Sequence, residues 1–213
     1  MDKNLETLIN LKREKMEKAF RDNNMELVQL NDKGELLDYL NQYLKDNVSV
    51  GVGGSMTLFE TGVIDKIRKS PVKFYDRYQE GLTGEQIQDI FRQSLLADLY
   101  ITSSNAIDMN GCLYNIDGNG NRVAAMIYGP KKVLVIVGRN KIFTNEEAAI
   151  NHIRNVAAPT NALRLNKNTP CTKAGKCLNC HSADRICSSF VKLSYQSVKN
   201  RIQVIVVNED LGY

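Results

Sequence analysis

A chain of 213 residues accommodates one domain, or one with a small appendage, and is too short for two full domains. Hydrophobic residues at 43%, charged residues at 24%, 14 Gly and 4 Pro describe a packed globular protein and exclude a linker or disordered chain, while a formal net charge of only +4 does not by itself imply a nucleic-acid partner. The longest apolar runs, Val123 to Tyr128 and Val133 to Val137, fall short of the roughly 18–20 residues of a membrane helix, and Asp2 and Glu6 interrupt the place of a signal peptide, so a cytoplasmic protein without membrane insertion is expected.

Along the chain, Leu5, Leu8, Ile9, Leu11, Met16 and Phe20 form a partial apolar face that predicts an N-terminal helix over Leu5 to Phe20. Met25 to Leu30 reads as a short strand, Gly34 to Leu44 as a helix, and Val48 to Val52 as a strand that runs into Gly51-Val52-Gly53-Gly54-Ser55. Helical spacing returns over Met56 to Ile67, a strand follows at Val72 to Tyr75, then a helix from Gly84 to Leu96 capped by Thr83, then a strand at Leu99 to Thr102. This alternation predicts a parallel sheet covered by helices. Beyond it, Asn110-Gly111 predicts a tight hairpin between Ile107 and Asn115. The all-apolar Val133 to Val137 suits a strand buried on both faces, Asn145 to Val156 a helix capped by Thr144, and Phe190 to Leu193 and Ile202 to Val207 two closing strands. The division expected is an α/β core over 1–160, a cysteine-rich segment over 161–190, and strands returning to the core over 191–213.

Three places carry candidate chemistry. The first is Gly51 to Thr57, where a strand hands over to a helix. Glycines there let backbone N–H groups approach a ligand, and Gly53, Gly54, Ser55 and Thr57 are candidates for holding an anion or small molecule. A bare Gly-rich turn is the competing reading. A dinucleotide site, with Asp76 as ribose acid, is weakened because Met56 stands where the third glycine of that fingerprint belongs. The second place runs from Ser103 to Arg122. Asn105, Asn115, Gly118, Gly120 and Asn121 suggest a pocket of carboxamides and backbone amides, with Arg122 as partner for a carboxylate or phosphate. A long Asx-rich turn with Arg122 in a surface ion pair would leave the same trace. Glu60, the single carboxylate between Gly51 and Gly62, is a candidate general base or an ordinary exposed helix residue.

The third place is the spacing Cys171-x5-Cys177-x2-Cys180-x6-Cys187. From Leu163 to Ser188 five basic residues face one acidic residue, which is the whole of the chain's formal excess. Cations there would offset and activate thiolates. Four sulfurs with one C-x2-C pair suit a metal site, and the spacing alone does not separate zinc from a 4Fe-4S cluster. Two disulfides are the competing reading. His181 is a possible substitute ligand or a bystander, and Cys112 reads as a small apolar residue. The segment lacks aromatic residues for stacking on bases, which argues against nucleic acid as a partner.

Three stretches, VGVGGSMTLFETGV at 50–63, ADLYITSSNAIDMNGCLYNIDGNGNRVAAMIYGPKKVLVIVGRNKI at 97–142, and PCTKAGKCLNCHSADRIC at 170–187 with the closing RIQVIVVNEDLGY, resemble the lactate-utilisation (LUD) domain family, in particular short members ending in a cysteine-rich segment. The resemblance implies a three-layer α/β sandwich like that of the sugar-phosphate isomerase and CoA-transferase superfamily. It also implies a cytoplasmic role in oxidation of lactate or a related small acid beside iron–sulfur redox proteins, which raises a 4Fe-4S cluster on Cys171, Cys177, Cys180 and Cys187 over zinc. It brings no settled catalytic constellation. The function expected is therefore a redox-associated enzyme or subunit that binds a small anionic metabolite. The competing readings are an isomerase- or CoA-transferase-like enzyme that uses Glu60 and holds zinc as a staple, and a binding or regulatory module.

Overall fold

The computed structural model describes residues 2–213. Six parallel strands form the main sheet: β1 (Glu26–Leu30), β2 (Ser49–Val52), β3 (Lys73–Tyr75), β4 (Leu99–Thr102), β7 (Lys132–Gly138) and β10 (Ile202–Val207), in the order β1-β10-β7-β4-β2-β3. A smaller sheet, β8-β5-β6-β9, is built from β5 (Ala106–Asp108), β6 (Leu113–Asp117), β8 (Ile142–Phe143) and β9 (Ser189–Leu193).

The side-chain alternation of the central strands explains why helices cover both faces of the main sheet. Leu134, Ile136, Ile205 and Val207 point to one face, where they pack on Leu36 and Leu40 and on Val63, Ile64 and Ile67. Val133, Val135, Val137, Val204 and Val206 point to the other, against Met16, Phe20, Ala125 and Met126. The first layer consists of α2 (Lys33–Tyr39), α3 (Met56–Glu60) and α4 (Val63–Arg68). Into the second go α1 (Lys3–Asp22) and α6 (Asn121–Ile127), while α5 (Gly84–Ser94) crosses from β3 to β4. The expected α/β sandwich is thus present, and β10 enters it between β1 and β7. Among the described residues no helix is long and apolar enough to cross a membrane.

Several elements differ from the sequence expectation for local reasons. The helix expected over Met56 to Ile67 is two helices, because Gly62 takes the left-handed conformation at φ 74 and turns the chain between them. The helix expected to end at Val156 continues through a π turn at Ile153–Ala157 into α8 (Ala158–Arg164), following α7 (Glu146–His152). Pro159 sits in the first turn of α8, where its missing N–H costs nothing, and the wider turn before it absorbs its ring. The cap of α7 is Asn145, whose side chain accepts from the Ala148 N–H, and not Thr144. Thr83 caps α5 as expected, reciprocated by Gln86. In the hairpin, Asp108 accepts from the N–H groups of Asn110 and Cys112 and from the Tyr114 hydroxyl, which locks the Asn110-Gly111 turn.

Candidate functional site

The strand order places the connections of β2 and β4 on opposite sides of their shared boundary: β2 leads outward to β3, whereas β4 leads inward to β7 and β10. Chains that diverge in this way leave a crevice at the C-terminal ends of the strands. A cavity of about 440 Å³ lies there, within the size range of small-ligand sites. Gly54 and Ser55 follow β2 into it, Ser103 to Asn105 follow β4, and Lys141 follows β7. The turn from Asp117 to Asn121 forms another side, α8 contributes Asn161 and Arg164, and residues 183–186 of the cysteine-rich segment form the wall opposite.

Six cationic side chains, Arg77, Arg122, Lys141, Arg164, Lys167 and Arg185, and two carboxylates, Asp117 and Asp184, line this space. Their roles differ. Arg122 is buried, 8% exposed, and both terminal nitrogens of its guanidinium are engaged within the protein. Nη1 donates to the Ser103 carbonyl at 2.9 Å and to Asn115 Oδ1; Nη2 donates to the Ile116 carbonyl at 2.8 Å and to Asn105 Oδ1 at 3.1 Å; Nε lies 3.4 Å from Asp117 Oδ2. Arg122 therefore ties the loop after β4 to the end of β6 and the turn beyond it, with only Nε, beside Asp117, outside this set of hydrogen bonds. Arg122 thus lines the cavity as expected, but its two terminal nitrogens are committed to the protein. Asn105 and Asn115 likewise serve as acceptors for Arg122, and Asn105 also accepts from the Ile116 N–H at 3.0 Å.

Gly53 lies behind the surface of the cavity, where a Cβ would come within 2.3 Å of Thr102 Oγ1, so a glycine is needed for β2 and β4 to approach this closely. Of the remaining expected residues, Gly54, Ser55, Gly118 and Asn121 line the cavity. Gly120 precedes α6, with its N–H bonded to Asp117 Oδ1 at 2.9 Å. Thr57 is fully buried and accepts from Lys141 Nζ at 2.9 Å. Glu60 is exposed at the end of α3 and accepts from the Gly212 N–H; it stands outside the cavity, which removes it as the base of any chemistry performed there. Asp76 is outside as well, paired with Arg68 at 2.8 Å, which removes it as a ribose-binding acid of this cavity.

Of the other cations lining the cavity, Arg164 and Arg185 come from the basic stretch noted in the sequence, where they were read as partners of the thiols, and Arg77 was not singled out. The Arg77 guanidinium carbon lies over the Phe91 ring, 4.2 Å from its centroid, and near Gly54. Nε and Nη2 of Arg164 donate to Asn161 Oδ1, and Nη2 of Arg185 donates to the Cys187 carbonyl. None of these three arginines has a carboxylate partner among the described residues. Lys167, in contrast, lies 3.6 Å from Asp184. Buried polar atoms without any hydrogen bond include Nε of Arg185 and the hydroxyl of Tyr213, both from cavity-lining residues. Burial pushes the Tyr213 hydroxyl above its usual pKa, against the pull of the Arg164 guanidinium. Lys141 is 3% exposed, and burial, reinforced by the charge of Arg122, pushes its ammonium down to about 7. Only the position of Lys141 just beyond a buried strand end could have signalled it in the sequence.

The cysteine-rich segment begins with a single helical turn, α9 (Cys171–Ala174), and then runs without regular structure to β9. Its path is fixed by the Cys177 N–H on the Arg154 carbonyl and by Asp184, which accepts from the Asn168 N–H. Cys171, Cys177, Cys180 and Cys187 are free, partly exposed thiols, so the pairing into two disulfides is not formed. Cys171 Sγ lies 3.1 Å from Thr169 Oγ1, and Cys177 Sγ accepts from the Asn179 N–H. Among the described residues no three His, Cys, Asp or Glu side chains are gathered in a way that could hold a metal ion. The thiols as placed do not fit a cluster or a tetrahedral zinc site. Cys112, apart from them, is buried, and burial together with Asp108 pushes its thiol up, in keeping with an inert apolar residue.

A parallel sheet covered on both faces, with a cation-lined cavity at its switch point, defines this chain as an α/β protein of doubly covered parallel-sheet type. It belongs to the lactate-utilisation (LUD) domain family, whose domain matches residues 13–207. Among solved structures it is similar to the crystal structure of a DUF162 family protein from Deinococcus radiodurans, with 14% sequence identity and a TM-score of 0.53 over 93% of this chain and 97% of that one. That likeness is one of fold. No curated protein matches the chain.

Proposed function

We propose that this LUD-domain protein binds a small metabolite bearing a carboxylate or phosphate, of the size of a hydroxy acid, keto acid or sugar phosphate, in the cavity at the ends of β2, β4 and β7. The observation that carries this reading is the convergence of Arg77, Arg164 and Arg185 on one cavity without carboxylate partners, with the Arg185 Nε buried and unbonded. Unpaired buried donors are costly, and an anionic oxygen would satisfy them. The wider role, a component of lactate or related small-acid oxidation working beside iron–sulfur redox proteins, rests on family membership alone.

Calorimetry with lactate, pyruvate and a sugar phosphate tests the reading. At least one is expected to bind, and Arg185→Gln is expected to lower its affinity roughly ten- to a hundredfold, the loss of a charge-assisted hydrogen bond. Failure of all three to bind the wild-type chain, or unchanged affinity in the variant, would count against it.

A further inference from the structure

Lys141 is a cation in the cavity that is neither paired nor available as an ordinary surface ammonium. Its Nζ lies 2.9 Å from Thr57 Oγ1 and 3.3 Å from Ser103 Oγ, and among the described residues no carboxylate lies within ion-pair distance of it. The two hydroxyls spend their own protons elsewhere. Thr57 donates to the Leu211 carbonyl at 3.3 Å, and Ser103 to the Ser104 carbonyl at 3.2 Å or to Thr57 Oγ1 at 3.5 Å. Both therefore accept from Nζ. A neutral amine that donates its two N–H bonds to these hydroxyls keeps its lone pair free, and the side chain lines the cavity. A buried ammonium in the same place, beside Arg122, would be offset only by the carboxylate of Glu60, which is beyond ion-pair distance. This is also the cause of the lowered pKa noted above, which leaves a large fraction of free amine at neutral pH.

We propose that Lys141 is a nucleophile that forms an imine with the ligand, which narrows the ligand of the preceding section to an aldehyde or ketone carrying a carboxylate or phosphate. The inference rests on that section's anion-binding reading. The Nζ lone pair attacks the carbonyl carbon, and the carbonyl π pair moves to oxygen, which takes a proton to give a carbinolamine. Loss of that hydroxyl as water, with departure of the remaining N–H proton, leaves a C=N bond. Amine and carbonyl are consumed and one water is released, with no change in oxidation state. Hydrolysis reverses the sequence, and the Thr57 and Ser103 hydroxyls hold Nζ for the attack, releasing it as its N–H bonds are consumed.

The test is reductive trapping. The full chain is incubated at neutral pH with pyruvate or with glyceraldehyde 3-phosphate, one arm for each anion, then reduced with borohydride and mapped by peptide mass spectrometry. An ordinary lysine with a pKa near 10.4 is free amine to roughly one part in a thousand at neutral pH, so Lys141 is expected to carry at least about tenfold more adduct than any other lysine. Lys141→Met is expected to lose the adduct, and should that variant fail to fold, the wild-type peptide map decides alone. Calorimetry without reductant runs in parallel on the same two compounds. Binding without a Lys141 adduct, or adduct spread evenly over the lysines, would overturn the imine and leave the anion-binding reading standing. Absence of both binding and adduct would overturn both.

Discussion

At the scale of single residues, the site separates cations that build from cations that wait. Arg122 carries the charge expected of a ligand partner, yet both ends of its planar fork are taken by Ser103, Asn105, Asn115 and Ile116, with Asp117 beside Nε. A bidentate donor so engaged acts as a rivet, and its loss strands several buried acceptors at once. Arg122→Met is accordingly expected to cost about 3–5 kcal/mol of stability, the range for breaking a buried charged network, with a lowered urea midpoint as the readout. A midpoint within measurement error of wild type would show that water replaces these bonds. The sequence supports both roles equally, since an Arg following NIDGNGN has the same letters whether its fork faces a ligand or its own loop. Only the count of acceptors around it, which is a property of the fold, separates them.

At the scale of elements, legibility followed the strength of the local signal. Val133 to Val137 and Ile202 to Val207 are apolar on both faces and become the buried centre of the sheet. Thr83 with Gln86, and Asn110-Gly111, are local devices whose geometry needs no distant partner. The helix continuing past Pro159 and the break at Gly62 were illegible for the converse reason: each depends on a backbone choice that neighbouring packing selects. The cysteine-rich segment is the extreme case. Its thiols advertise a metal site by count and spacing, but the chain holds them apart and uses residues 183–186 as a cavity wall. Gathering four sulfurs around one metal or cluster would require that wall to leave its present path. Should the reduced protein take up zinc, or iron and sulfide, ligand affinity at the cavity is therefore expected to change severalfold. Metal uptake with unchanged affinity, or no uptake, would show that the four thiols do not act as a set that moves the wall.

For the whole molecule, the site is made by topology more than by any motif. The loops after β2, β4 and β7 meet because the strand order reverses between β2 and β4, while Arg164, Arg185 and Tyr213 arrive from the last quarter of the chain. Gly54, Ser55, Gly118 and Asn121 were readable as site residues because they sit in short loops with turn chemistry. Arg77, Lys141 and Arg164 were not, since a lone basic residue in a helical or loop context looks like solvated surface until the fold brings it inward. A cavity assembled from such separate stretches couples ligand occupancy to the fold as a whole. A ligand that binds only the folded state stabilises it by mass action, about 2.7 kcal/mol at a hundred times its Kd. The melting temperature is thus expected to rise with the concentration of whichever carboxylate or phosphate compound binds. Protection from hydrogen exchange should gather in two stretches far apart in sequence, 53–57 and 183–186. Protection confined to the glycine loop alone would place the ligand on the β2 side and remove the cysteine-rich segment from the site.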